Sequence, residues 1–109
     1  MAKKSVLVVV VAALMLPLVV GSATAAEGVV VKAVNFDFKP RTVEVDVNEK
    51  VTWKGKEGKH TVTVIDTDID KKLKEGEKVS LKFDRRGTFR YYCRPHEDAG
   101  MRGKVIVRG

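Results

Sequence analysis

Beyond residue 28 the chain alternates short runs of valine, threonine and aromatic residues with breaks rich in charge or glycine, the pattern of an all-β domain. VVVKAVN (Val29 to Asn35) and TVEVDV (Thr42 to Val47) come first, separated by Pro40, and in the second Val43, Val45 and Val47 share one face. Asn48 and Glu49 predict a tight connection into KVTW (Lys50 to Trp53), because asparagine tolerates left-handed backbone. Gly55 and Gly58 then punctuate a turn into HTVTVI (His60 to Ile65). KVSLKF (Lys78 to Phe83), the turn DRRG (Asp84 to Gly87), TFRYYC (Thr88 to Cys93) and GKVIV (Gly103 to Val107) complete the series. About seven or eight short antiparallel strands predict two sheets packed face to face, a Greek-key β-sandwich.

One segment breaks the pattern. In DTDIDKKLKEGE (Asp66 to Glu77) polarity rises, and Ile69 and Leu73 fall on one face of a helical turn or two, so a surface excursion is expected. Asp66, Asp68, Asp70 and Glu77 occupy positions 1, 3, 5 and 12 of a calcium loop. Lys71 stands where that loop needs glycine, and β-runs flank it instead of helices, which argues against calcium.

The first 26 residues follow another logic. Lys3 and Lys4 precede an apolar run from Val6 to Val20 and a small-residue tail from Gly21 to Ala26, the layout of a secretory signal peptide cleaved after Ala25 or Ala26. Ser5 to Ala26 is long enough to span a bilayer, but Pro17 and the small-residue tail argue for cleavage over an uncleaved anchor. Two lysines where a twin-arginine signal needs arginines favour the general secretory route. The expected organisation is a signal over 1–26, a domain over 27–109, and a periplasmic or otherwise exported location.

Composition constrains the domain further. Removing Lys3 and Lys4 leaves 19 basic against 14 acidic side chains, a net charge of +5. The charges are interspersed rather than blocked, so nucleic acid is excluded as a partner, and an acidic protein or peripheral contact with an anionic membrane surface fits better. A monomer is expected. So small a domain has limited core to bury, and exported domains of this size usually add disulfides. One cysteine, Cys93, cannot form an intramolecular bridge. A metal is the natural substitute.

Strand alternation turns Phe89, Tyr91 and Cys93 to one face of TFRYYC and Arg90 and Tyr92 to the other, and the arginine marks the solvent side. Cys93 therefore points inward, and the loop after it returns His96 and Met101 toward it. His60 also opens a strand and joins them if the two strands are antiparallel neighbours. Two imidazoles, a thiolate and a weak thioether describe a type 1 blue-copper site. Zinc is the rival, although methionine suits it poorly and structural zinc sites usually carry more cysteines. Iron–sulfur clusters need more thiolates. A catalytic cysteine–histidine pair lacks an orienting acid, so no enzyme activity is expected.

The pattern Cys93-x2-His96-x4-Met101, the preceding Tyr92, the following Gly103-Lys104-Val105, and the upstream VTW and His60-Thr61-Val62 resemble a cupredoxin over essentially all of residues 27–109. The loop spacing is similar to that of plastocyanins and pseudoazurins. This resemblance implies one copper held by His60, Cys93, His96 and Met101, and one-electron transport between redox proteins such as a c-type cytochrome or a copper or haem redox enzyme. It implies electron exits at His96 and Tyr92 and a docking rim of Pro95, Ala99 and Gly100. Periplasmic copper delivery or resistance is the alternative function, though such proteins more often carry exposed methionine- or histidine-rich sites. Thr61 departs from the family, where asparagine often follows the first histidine and ties the two ligand loops. Arg94, Glu97, Asp98 and Arg102 are left unexplained by copper chemistry and are expected to govern partner choice.

Overall fold

The computed structural model describes residues 27–109, and the segment read as a signal peptide lies outside them. The described residues form nine strands: β1 (Val29–Val34), β2 (Asp37–Lys39), β3 (Thr42–Asp46), β4 (Lys50–Gly55), β5 (Lys59–Val64), β6 (Asp70–Lys74), β7 (Lys78–Lys82), β8 (Gly87–Tyr92) and β9 (Arg102–Arg108). A 3-10 segment, Arg94–Ala99, lies between the last two. No helix among these residues is long and apolar enough to cross a membrane.

The expected sandwich is present. Strands β2-β1-β4-β7 form one sheet and β3-β9-β8-β5-β6 the other. Two pairings depart from the antiparallel expectation: β1 runs parallel to β4, and β3 parallel to β9. Both follow from the chain changing sheets between β2 and β3 and again between β3 and β4, so that sequence neighbours there are not ladder partners. Asn48, at φ 67°, makes the second change of sheet, and its N–H donates to the Phe83 carbonyl at 2.8 Å.

The segment Asp66 to Glu77 also differs from expectation. Its centre is a strand, not a helical turn. Lys59 to Thr63 of β5 pair with Lys74 to Asp70 of β6, and Leu73 enters the core opposite His60. Ladder hydrogen bonds to β5 outweigh the weak helical spacing of two apolar residues. Asp70 is committed to Arg94, and Glu77 accepts the Lys74 N–H at 2.9 Å, so the acidic residues form no calcium cluster.

The core lies between the sheets and is made chiefly by alternating inward side chains: Val31, Ala33, Phe38, Val51 and Trp53 from the first, and Val43, Val45, Val62, Val64, Tyr91, Val105 and Val107 from the second. Tyr91 stands edge-on to both Phe38 and Trp53, with ring centroids 4.8 and 5.2 Å apart. Edge-to-face contacts of this kind add to simple area burial. This aromatic layer joins the sheets in the strand just before Cys93.

Candidate metal centre

Cys93 follows β8 and is fully buried, on the inward side shared with Tyr91. His60 lies in β5, the antiparallel neighbour of β8, whose register pairs Thr63 with Tyr92 and Val64 with Tyr91. Continuing that register toward the strand ends brings His60 beside the residues that follow Cys93. His96 comes from the 3-10 segment, where Pro95 occupies an early position that needs no N–H partner. Backbone hydrogen bonds knit the loop: His96 N–H to the Cys93 carbonyl (3.2 Å), Met101 N–H to the His96 carbonyl (3.3 Å), and Cys93 N–H to the Met101 carbonyl (3.0 Å). Gly100, at φ 79°, closes the segment in left-handed backbone that a larger residue adopts only with strain.

The result is a tight triangle of donors. Cys93 Sγ lies 3.6 Å from His60 Nδ1 and 3.4 Å from His96 Nδ1, and the two nitrogens are 3.2 Å apart. Among the described residues this is the one cluster of histidine, cysteine or acidic side chains able to hold a metal. Bonds of about 2.0–2.3 Å from one ion to imidazole nitrogen and thiolate sulfur span edges of this length.

The protonation pattern also suits a cation. His60 Nε2 lies 2.6 Å from the Glu57 carbonyl, which can only accept, so Nε2 carries the proton and Nδ1 of the neutral ring presents a lone pair to the triangle. Burial pushes the His60 pKa below its ordinary value and charge on His96 adds to this, opposed by the Glu57 carbonyl. Neutral imidazole is the form that ligates.

Met101 is fully buried at the end of the loop, where the sequence places it. Tyr92 is half-buried on the opposite face of β8 from Cys93. Pro95 and Ala99 are exposed, and Gly100 is half-buried with its carbonyl 3.5 Å from Arg41 Nη2. Arg94 is exposed, and its guanidinium is engaged by Asp70 through two hydrogen bonds at 3.0 and 3.1 Å.

Two contributors escape sequence reasoning. Phe36, 51% exposed in the β1–β2 turn, packs edge-on against His96 with centroids 5.0 Å apart. An aromatic residue in a break between strands is the signal that could have found it. Glu57 orients His60 through its main-chain carbonyl and accepts the Asn35 N–H through its carboxylate at 3.0 Å. A main-chain role leaves no mark in the sequence.

Known proteins resemble this chain in sequence and in fold. Plastocyanin from Tetradesmus obliquus is 36% identical, over a stretch taking in 65% of this chain and 58% of that protein. Plastocyanin from Scenedesmus fuscus is 32% identical over 65% of this chain and 86% of its own. Halocyanin from Natronomonas pharaonis is 37% identical over 66% of this chain and 48% of its own. The chain thus spans about half the length of several of its relatives. Among solved structures, a Cu(I) form of an amicyanin variant superposes with a TM-score of 0.65 at 30% identity, covering 75% of this chain and 83% of that one. Residues 25–108 match the family described as copper binding proteins, plastocyanin/azurin family, and with the buried His60–Cys93–His96 triangle in place the chain belongs to that family.

Proposed function

We propose that this protein is an exported carrier of single electrons, with His60, Cys93 and His96 as the close ligands of a type 1 copper and Met101 as the weak fourth. The observation that carries the reading is the triangle itself: three donor atoms 3.2–3.6 Å apart, with His60 Nδ1 held deprotonated by the Glu57 carbonyl. When bound, copper supplies a Cu(I)/Cu(II) couple. The chain supplies rigidity, since the ligands are fixed by strands and by a loop bonded to itself, and ligands that need not move keep the barrier to electron transfer low. Cys93 offers a covalent route into Tyr92, while half-buried His96 offers the shorter route to the surface. Pro95, Ala99, Gly100 and Phe36 form the apolar rim through which a partner approaches. With Cys93 and Met101 fully buried and His60 3% exposed, the ligands are poorly placed to pass copper on, which favours electron transport over copper delivery.

Residues 1–26 act as the export signal, and the net charge of +5 over residues 27–109 selects an acidic redox partner. Copper(II) added to the purified mature protein is expected to give intense absorption near the red end of the visible spectrum, abolished by Cys93→Ser. A tightly bound but colourless complex would overturn the electron-transfer reading in favour of zinc or Cu(I) storage.

A further inference from the structure

The β5–β8 ladder stops at Thr63 and Tyr92, two residues short of Thr61 and Arg94, which lie beside the ligands His60 and Cys93. Side chains continue the connection. The Arg94 N–H donates to Thr61 Oγ at 2.9 Å, and Thr61 and Thr63 hydroxyls lie 2.8 Å apart. Thr63 Oγ donates to Asp70 Oδ1 at 2.8 Å, and Asp70 receives the Arg94 guanidinium through Nε and Nη2. The direction of every bond is determined. An amide N–H can only donate and a carboxylate can only accept, so Thr61 passes its own hydrogen to Thr63 and each hydroxyl accepts one bond and gives one. The circuit closes on itself: it begins at the main chain of Arg94 and ends at that residue's side chain.

We infer that the ring Arg94–Thr61–Thr63–Asp70 is a positioning device for the metal centre, with Asp70 and Thr63 as its remote anchors. This rests on the reading of His60, Cys93 and His96 as copper ligands. Arg94 is covalently next to Cys93, and Thr61 next to His60, so the ring clamps from outside the two chain segments whose Sγ and Nδ1 must stay 3.6 Å apart. A single threonine has less reach than a side-chain amide. Here the relay through Thr63 to Asp70 on β6, which is paired with Arg94, supplies that reach and adds charge-assisted bonds at its end. The ring also gives a role to the one aspartate of β6, an edge strand that otherwise carries Lys71, Lys72 and Lys74 beside Leu73.

The test uses the full mature chain with Thr63→Val, Asp70→Asn and the conservative Thr63→Ser, none of which alters a ligand. Hydrogen exchange of the Arg94 amide in the metal-free protein reads the ring directly. Loss of one link is expected to speed that exchange by several-fold to about tenfold in Thr63→Val and Asp70→Asn, and to leave it near wild type in Thr63→Ser. In the copper-loaded proteins the midpoint potential and the visible band are expected to shift in the same direction for both disruptive variants. The double variant should shift no further than either alone, because both break one circuit. Unchanged exchange would remove the ring, and faster exchange with unchanged potential and band would reduce it to a surface tie with no positioning role. A wild-type protein without a visible band would instead defeat the copper reading, with the exchange data still deciding whether the ring exists.

Discussion

Tyr91 shows how much a single side chain does in the layer under the metal site. Its ring bridges Phe38 and Trp53, yet neither its hydroxyl nor the Trp53 Nε1 makes a hydrogen bond of good geometry; burial pushes the phenol pKa up to about 12, against the lowering effect of the nearby Trp53 indole N–H. A Cβ at Gly103 would collide with the Tyr91 hydroxyl, so glycine there is the space the hydroxyl occupies. An unsatisfied buried hydroxyl costs roughly 1–3 kcal/mol, whereas the ring contributes all the apolar contact. Tyr91→Phe is therefore expected to leave unfolding free energy unchanged or to raise it by about 1 kcal/mol, measured by urea denaturation. A loss of that size would mean that the hydroxyl has a partner after all. Single residues also mark where sequence reasoning succeeds. Cys93 and His96 are legible because their spacing is local and their donor chemistry distinctive, and His60 because antiparallel pairing brings it to the same end. Phe36, Glu57, Thr63 and Asp70 are ordinary by type, and only the folded chain gives them their neighbours.

At the scale of elements, seven of the strands are legible because valine and aromatic runs reveal their own period. β2 and β6 are not. The three residues of β2 are too short to show alternation, and β6 hides a strand under DKKLK, where Leu73 alone is buried. Strongly charged sequence is what an edge strand needs to resist pairing with other chains, so the feature that protects β6 also disguises it. Its attachment depends on Leu73, which is fully buried opposite His60. Leu73→Ala is expected to cost about 2–5 kcal/mol of unfolding free energy, seen as a lower denaturant midpoint. A cost below about 1 kcal/mol would mean that β6 is held by its ladder alone and that its packing contributes little.

The whole molecule carries its charge unevenly around the site. Lys59, Lys72 and Lys74 line a groove beside His60 and Pro95, where Arg94 is already neutralised by Asp70. With a net +5 over residues 27–109, oxidation of the reduced copper protein by the anion hexacyanoferrate(III) is expected to slow as salt rises. A cationic cobalt(III) complex should show the opposite trend, because the screening length falls to about 8 Å at physiological ionic strength. Equal salt dependence for the two oxidants would show that the groove's lysines do not steer approach. The position of β9 has a consequence on a different timescale. It lies between β3 and β8, pairing Thr42 with Lys104 and Tyr91 with Gly103, so β3 cannot join the larger sheet until residues 102–108 are made. Contacts so distant along the chain form late. Pairing of β3 with β9 therefore waits for residues 102–108, whereas the β5–β8 pairing that gathers His60 and Cys93 joins segments made before them, so the ligand pair can meet before the larger sheet is complete.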